Sequence, residues 1–319
     1  MQEFALIDRL RSRLRARRAD TTLGIGDDAA LLAPPAGHEI AVTTDTLISG
    51  RHFPPDTSAF DIGYKAVAVN LSDLAAMGAV PAWLTIALAA PDLEPAWCEA
   101  FIDGAEAAIG SAEVDIVGGD TTRGALAITI TALGLVRSGQ AMRRDRAQPG
   151  DLVAVTGTLG DAACGLSLWS ERENDRSADA LYLRERLCRP QWRATDALCG
   201  QVSAAIDISD GLAADLGHVL KASDVGATLD PSRLPTSPAL ARQVPEAGAR
   251  HRLQLAGGDD YELCLIIAPR LLAEVRTALD CQLTVIGRIE ARPGLRYENS
   301  DGQPLEPLAG AAPGWDHFG

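Results

Sequence analysis

The stretch Tyr64–Ala79 reads YKAVAVNLSDLAAMGA. Its small and apolar residues recur every three or four positions, which predicts a helix over Ile62–Met77 with Asn70 and Asp73 on one face. A helix of this composition is expected to be buried, and a buried carboxylate needs a partner. Lys65 or a metal ion could supply that partner. The alternative is a capping role, in which Ser72 or Asp73 caps a following helix.

Five further segments place aspartate beside glycine or threonine where an apolar run is expected to end. They are GIGDDAA (Gly24–Ala30), TTDTL (Thr43–Leu47), GGDTTRG (Gly118–Gly124), IDISDGL (Ile206–Leu212) and GGDDYEL (Gly257–Leu263). Carboxylate and hydroxyl oxygens suit Mg²⁺, which usually accompanies phosphate groups. We interpret the dispersed segments as one polyphosphate site built from distant loops. Each segment alone also fits an ordinary turn or helix cap.

The composition limits what kind of protein this is. Of the 319 residues, 47% are hydrophobic and 23% are charged, as in a soluble globular protein. The net charge of -14 argues against general nucleic-acid binding, which favours a basic surface. Only Lys65 and Lys221 are lysines, and neither fits a GxxxxGK[ST] phosphate loop. A nucleotide would therefore be held by metal, backbone amides and arginine.

Strands alternate with helices in both halves of the chain, which predicts an α/β or α+β protein of two domains. The polar stretch SGQAMRRDRAQPG contains Pro-Gly and is interpreted as a linker over 138–150, between domains at 1–137 and 151–319. An amphipathic first helix is expected over 3–18, with a transit peptide as the alternative. GTLGD (Gly157–Asp161) is either an anion site at a helix start or a glycine-rich connection.

No apolar stretch is long enough to span a membrane, so no membrane contact is expected. The six cysteines are scattered without a CxxC pair, which predicts free thiols in a reducing cytoplasm.

Taken in order, these segments resemble the thiamine-monophosphate kinases, within the ATP-binding superfamily that includes aminoimidazole ribonucleotide synthetase. The similarity runs from GIGDDAA to the terminal GWDHF (Gly314–Phe318) and covers nearly the whole chain. NLSDLAAMGA and GGDTTRG are its specific part, whereas GIGDDA is shared with the wider superfamily. The resemblance implies an aminoimidazole ribonucleotide synthetase-like fold of class α/β (α+β). In that fold an N-terminal sheet or half-barrel serves dimerisation, and the C-terminal domain is an α/β sandwich.

The resemblance further implies transfer of the ATP γ-phosphoryl group to thiamine monophosphate by a homodimer that uses several Mg²⁺ ions and holds ATP near the dimer interface. No general base is expected, because the second pKa of a phosphate monoester is about 6. The implied metal ligands are Asp28, Thr43, Thr44, Asp45, Asp73, Asp120, Asp207 and Asp210. The implied ATP contacts are Gly119, Asp120, Arg144 and Ser209, and the implied substrate contacts are His52, Asp259, Trp315 and Phe318.

The chain departs from the family pattern in two places. Position 259 is often glutamate in the family and is aspartate here. The aromatic residue that covers the substrate has two candidates, Trp315 and Phe318.

Two other functions are weighed against this one. A selenophosphate synthetase would carry a reactive cysteine and lysine near its N-terminus, and both that family and aminoimidazole ribonucleotide synthetase have a glycine-rich N-terminal segment; neither feature occurs here. A non-catalytic protein that binds divalent metal or nucleotide is the alternative from another class. The absence of EF-hand spacing weakens its calcium-sensor version.

Overall fold

The computed structural model describes Arg13 and residues 17–305. Contacts divide the chain into two compact units. Unit 1 contains the residues up to Ala75 together with Ala79–Gly139, and unit 2 contains Ala76–Gly78 together with the residues from Gln140 onward. The first helix expected over 3–18 falls largely outside the described residues, and Trp315 and Phe318 fall wholly outside them. The domain and linker boundaries drawn from the sequence stay a prediction.

In the residues that the structure describes, unit 1 contains a small strand pair, a four-stranded sheet and two helices. The elements in chain order are β1 (Thr21–Leu23), β2 (Leu31–Leu32), β3 (His38–Ile48), α1 (Ala59–Ala76), β4 (Val80–Ala90), α2 (Pro95–Ile109), β5 (Asp115–Arg123) and β6 (Ala127–Arg137). The four-stranded sheet has the order β3-β6-β4-β5. β6 runs antiparallel to both β3 and β4, while β4 and β5 are parallel.

Side chains of β3 alternate between the two faces of this sheet, because successive residues of a strand point to opposite sides. Thr43, Asp45 and Leu47 lie on the more buried face, whereas Val42 lies on the exposed face. Helix α1 is buried along most of its length, as its small and apolar sequence predicts. The helix expected over Ile62–Met77 is thus confirmed with slightly different ends.

Helices α1 and α2 touch through their backbones at a pair of glycines. A Cβ atom added to Gly63 would lie 2.0 Å from the carbonyl oxygen of Phe101, and one added to Gly104 would lie 1.9 Å from that of Phe60. Each glycine therefore makes room for the backbone of the other helix. Such close packing fixes the position of α1.

Two expected strand ends are wrong. The apolar run before TTDTL is expected to end at that segment, but β3 continues to Ile48 and includes all of TTDTL. GGDTTR likewise lies inside β5 and is not a loop. The reason is pairing over long sequence distances: every residue of β3 is in register with β6, and a Cβ atom on Gly119 would lie 1.9 Å from the Ile86 carbonyl oxygen of β4.

Unit 2 contains a seven-stranded sheet with helices on both of its faces. Its strands are β7 (Leu152–Thr156), β8 (Ala204–Asp207), β9 (Gly226–Leu229), β10 (Leu263–Ile267), β11 (Leu283–Glu290), β12 (Gly294–Glu298) and β13 (Pro304–Leu305). Its helices are α3 (Asp161–Ser167), α4 (Ala178–Cys188), α5 (Leu212–Ser223), α6 (Pro238–Gln243), α7 (Ala247–Ala256) and α8 (Leu272–Ala278). The strand order is β13-β12-β9-β11-β7-β10-β8.

The central strands of this sheet are buried on both faces, which agrees with their continuous apolar sequence. One hydrophobic cluster joins them to Leu216 and Val219 of α5. A second cluster joins their opposite face to Val275 of α8. Unit 2 is therefore the α/β sandwich that the family resemblance implies. None of the helices described in either unit is long and apolar enough to cross a membrane.

Candidate active site

The contact between α1 and β3 brings together four expected or suspected site residues. Asp73 Oδ2 accepts a hydrogen bond from Thr43 Oγ1 at 2.5 Å. Asn70 Oδ1 accepts one from the backbone N–H of Asp45 at 3.2 Å, and Asn70 Nδ2 donates to the Ala66 carbonyl at 3.0 Å. Asn70 and Asp73 thus share one face, as predicted. Both lie inside α1, so the alternative that Asp73 caps a following helix is wrong.

Lys65 fixes the turn that carries His52. The Lys65 ammonium is buried and donates to the His52 carbonyl oxygen at 3.1 Å. His52 Nδ1 accepts from the backbone N–H of Ile48 at 2.9 Å. The turn is therefore attached both to α1 and to the end of β3, which orients the histidine ring.

The expected metal ligands of β3 do not all point the same way. Thr43 and Asp45 face α1, whereas Thr44 lies on the opposite face, where its hydroxyl is 2.9 Å from that of Thr131. Asp120 of β5 also lies on this second, exposed face, because it is in register with Ala87 in the same cross-strand row as Thr129. β5 and β3 are opposite edges of the sheet, about 14 Å apart at ordinary strand spacing.

Asp28 lies in an exposed turn. Its backbone N–H donates to Asp27 Oδ1 at 2.8 Å, and Gly26 supplies a φ of 128°. Asp27 thus caps the turn, which agrees with the alternative that this segment forms an ordinary turn. Asp28 itself is exposed to solvent.

In unit 2, Asp207 ends β8, and the turn that follows is held by a carboxylate that the sequence reading missed. Asp215 Oδ2 accepts from the backbone N–H groups of both Ser209 and Asp210 at 3.1 Å. Burial, with the charge of Asp210 nearby, raises the pKa of Asp215 to about 7. Gly211 is the N-cap of α5, so the alternative that Asp210 caps this helix is wrong. The available sequence signal for Asp215 was its position in the first turn of α5, where acidic residues are favoured.

The loop that carries Asp259 is hydrogen-bonded to the turn that carries Ser209 and Asp210. The backbone N–H of Asp259 donates to the Ser209 carbonyl at 2.8 Å, and that of Tyr261 donates to Ile208 at 2.9 Å. A Cβ atom on Gly258 would lie 2.6 Å from the Ser209 carbonyl oxygen, so this position requires glycine. The expected substrate residue Asp259 therefore lies directly beside the expected ATP residue Ser209.

Asp260 accounts for the GTLGD segment. The N–H of Gly160 donates to Asp260 Oδ2 at 2.8 Å in a fully buried contact. The Gly160 amide, which a bound anion would need as a donor, is therefore already hydrogen-bonded to the Asp260 carboxyl group. The segment is a structural connection, and its interpretation as an anion site is not supported.

We expect the Asp260→Asn variant to lose less stability than wild type as the pH rises. Burial raises the pKa of Asp260 from 3.8 to about 8. Between those values the folded state keeps a proton that the unfolded chain has released. The stability associated with that proton is present below about pH 4 and is lost as the pH rises toward 8. Asparagine can still accept from Gly160 but cannot ionise.

Urea unfolding near pH 5 and pH 8 measures this difference. Asp179→Asn, which removes a carboxylate of an ion pair with Arg242, is the matched control. An equal fall in the free energy of unfolding for wild type and Asp260→Asn between the two pH values would contradict the raised pKa of Asp260.

Arg144 begins a short 3₁₀ turn over Arg144–Arg146 and is exposed. Its carbonyl oxygen accepts from Ser223 Oγ at 2.8 Å, which attaches the turn to the end of α5. The guanidinium belongs to the same unit as Ser209 and Asp259.

Among the described residues, no three His, Cys, Asp or Glu side chains lie close enough to hold a metal ion by themselves. Mg²⁺ is commonly bound by one or two carboxylates together with substrate phosphates. The donors around Thr43, Asp45 and Asp73 are hydroxyl and carboxylate oxygens, so they fit Mg²⁺ bound in this way.

The two units correspond to two known domains. The family model of the AIR synthase related protein, N-terminal domain, matches residues 26–136, and that of the C-terminal domain matches residues 148–298. These matches and the fold define the class of the chain as that of AIR synthase related proteins. Thiamine-monophosphate kinase of Escherichia coli (strain K12) is 47% identical, covering 99% of this chain and 98% of that protein. The chain belongs to the thiamine-monophosphate kinase family.

Solved structures agree. The crystal structure of thiamine-monophosphate kinase from Stenotrophomonas maltophilia K279a has a TM-score of 0.86 and 49% identity, covering 96% of this chain and 98% of that one. AaThiL complexed with AMPPCP and TMP has a TM-score of 0.79 and 32% identity, covering 99% of this chain and 97% of that one.

Proposed function

We propose that the protein catalyses ATP-dependent phosphorylation of thiamine monophosphate to thiamine diphosphate. The observation that carries the proposal is the similarity, over 99% of the chain, to a structure that holds AMPPCP and TMP together. The sequence identity of 47% to a thiamine-monophosphate kinase over nearly the full length supports the same reaction.

The reaction needs little covalent chemistry from the protein. The acceptor phosphate is already an anionic nucleophile near neutral pH, so no general base is required. The difficulty is to bring two anions together in line. Ser209 and Arg144 contact ATP, while Asp259 and His52 contact thiamine monophosphate. The hydrogen bond from Asp259 N to the Ser209 carbonyl supports adjacent positions for the two substrates.

Mg²⁺ completes the proposal as a cofactor. The residues that would hold several Mg²⁺ ions are Asp28, Thr43, Thr44, Asp45, Asp73, Asp120, Asp207 and Asp210. Thr44 and Asp120 lie on the opposite face of the unit 1 sheet from Thr43 and Asp45, so they would serve a different ion. When bound, Mg²⁺ supplies positive charge that offsets the repulsion between the phosphates and the charge of the transition state. Gly119 lies next to Asp120 on β5 and is proposed as a further ATP contact.

Formation of ADP and thiamine diphosphate from ATP and thiamine monophosphate, with and without Mg²⁺, tests the function. We expect both products in equal amounts and only with Mg²⁺. ADP without thiamine diphosphate would assign a different acceptor. ATP binding without turnover would favour a binding protein.

We also propose a homodimer that forms through the exposed face of the unit 1 sheet. Val42, Ile40 and Ile48 of β3 are 61%, 42% and 43% exposed on that face. A sheet face with several exposed apolar side chains is typical of an interaction surface. Thr44 and Asp120 lie on the same face, which supports ATP binding close to the interface.

The Val42→Asp variant is expected to be monomeric at concentrations where the wild type is a dimer, because a charge would be buried in the interface. Size-exclusion chromatography with light scattering measures the mass. Leu181→Asp, at a position 50% exposed on α4, is the control and should leave the mass unchanged. A wild-type monomer, or a dimeric Val42→Asp variant, would contradict the proposed interface.

A cytoplasmic location stays a prediction. It is supported by the six cysteines, all of which are free thiols in the structure.

A further inference from the structure

Beyond Asp259, the same segment carries two carboxyl groups that the proposed function does not use. Asp260 and Glu262 are buried, with 1% and 0% of their surface exposed. A buried carboxylate is costly unless charged or hydrogen-bonding groups surround it. The partners of these groups therefore indicate what they hold in place.

The backbone between Gly258 and Tyr261 has an uncommon conformation. The φ angle is 70° at Gly258, 61° at Asp259 and 51° at Tyr261. Asp259 and Tyr261 are not glycines, and a left-handed backbone in such residues persists only where the surrounding structure over-determines it. Asp259 is thus held in place from outside its own segment.

The Glu262 side chain supplies one such constraint from inside unit 2. Its Oε2 accepts from Thr156 Oγ1 at 2.7 Å and from Arg193 Nε at 3.0 Å. Its Oε1 accepts from Arg193 Nη2 at 2.6 Å and from Arg186 Nη2 at 3.0 Å. Gly157 makes room for this carboxylate, since a Cβ atom there would lie 2.1 Å from Oε1. The side chains of Thr156, Arg186 and Arg193 therefore fix Glu262, the residue that directly follows the segment with positive φ angles.

The turn that carries Ser209 and Asp210 has a different anchor. Both of its backbone N–H groups donate to Asp215. Loss of the Glu262 contacts would leave this anchor intact. The two sides are joined by the backbone hydrogen bonds from Asp259 and Tyr261, but each has its own carboxylate anchor, Asp215 for the Ser209 turn and Glu262 for the segment that carries Asp259.

We propose that Glu262, through its ion pairs with Arg186 and Arg193, is a positioning residue that holds Asp259 against thiamine monophosphate. This inference rests on the proposed function. Glu262 is buried and acts through the backbone of Asp259, so it does not itself touch the substrate. Its removal raises the KM for thiamine monophosphate and leaves the KM for ATP nearly unchanged.

The variants Glu262→Gln and Arg193→Lys test the proposal. Glutamine keeps the shape of Glu262 but removes its charge, and lysine cannot reproduce the two parallel hydrogen bonds that Arg193 donates. Arg184→Lys is the matched control, because Arg184 is also largely shielded from solvent and its hydrogen bonds go to the carbonyls of Ala180, Leu168 and Asp175.

We expect both test variants to raise the KM for thiamine monophosphate about tenfold or more, since small displacements of a substrate-positioning group have effects of this size. The KM for ATP should change by less than about twofold, because the Asp215 anchor is untouched. Calorimetric titration of thiamine monophosphate in the presence of a non-hydrolysable ATP analogue should show the same loss of affinity. Arg184→Lys should leave the ratio of the two KM values at its wild-type level.

Equal rises in both KM values, an unchanged KM for thiamine monophosphate, or the same effect in Arg184→Lys would overturn the inference. If Glu262→Gln does not fold, the comparison of Arg193→Lys with Arg184→Lys decides whether the positioning role stands. Wild-type protein that does not phosphorylate thiamine monophosphate would overturn the proposed function as well. An active wild type with unaffected variants would overturn only the positioning role.

Discussion

Asp73→Asn is expected to lower kcat by about 100-fold or more, the effect seen when one electrostatic contact to a transition state is removed. Asparagine keeps an oxygen that can accept from Thr43, so the contact between α1 and β3 can survive. What disappears is the negative charge, and with it a ligand suited to Mg²⁺. The concentration of Mg²⁺ needed for half-maximal rate should rise accordingly.

Asp61→Asn on the same helix is the control for this variant. Asp61 lies in the first turn of α1 and accepts from Ser58 Oγ at 2.7 Å, which is a capping contact. Its loss should change kcat by less than about twofold, since only a helix cap is affected. Turnover by Asp73→Asn that is close to normal at limiting Mg²⁺ would contradict the assigned role of Asp73.

Gly104→Ala is expected to destabilise unit 1 by about 3 kcal/mol and to lower its Tm by about 10 °C. The added methyl group would lie 1.9 Å from the Phe60 carbonyl oxygen and 2.7 Å from its carbon. These are backbone atoms, so no side-chain rotation can relieve the contact. The two helices must move apart, and α1 would carry Asp73 with it.

Gly217→Ala provides the contrast. Gly217 lies in helix α5, and a Cβ atom there would meet nothing within 4 Å. Alanine is the better helix former by about 1 kcal/mol, so this variant should raise the Tm slightly. Thermal unfolding followed by circular dichroism measures both variants. A Gly104→Ala protein as stable as the wild type would show that the helices do not pack through their backbones.

The sequence was most informative where structure follows from local periodicity. The spacing of apolar residues predicted α1 around Asn70 and Asp73. It was least informative for β3 and β5. Aspartate and glycine are depleted in strands, but pairing with β6 and β4 keeps these residues in strands. Pairing partners are distant in sequence, so a local pattern cannot reveal them.

Similar limits apply to the candidate site. The carboxylates of all six segments were recognisable, but which of the unit 1 ligands face α1 depends on the extent and register of β3 and β5. The supporting carboxylates Asp215, Asp260 and Glu262 resemble their exposed neighbours in sequence. Their burial, and their contacts with Gly160 and Arg193, become visible only when the strands of unit 2 are assembled.

The scarcity of lysine makes side-chain amine chemistry unusually selective in this protein. Lys221 is exposed in the last turn of α5, whereas Lys65 is 2% exposed and hydrogen-bonded to His52. Among side-chain amines, an acylating reagent will therefore react first at Lys221, which provides a defined point for a dye or a solid support. Acylation of Lys65 requires α1 to separate from the His52 turn, so its rate, followed by mass spectrometry, reports how often unit 1 opens in the native state.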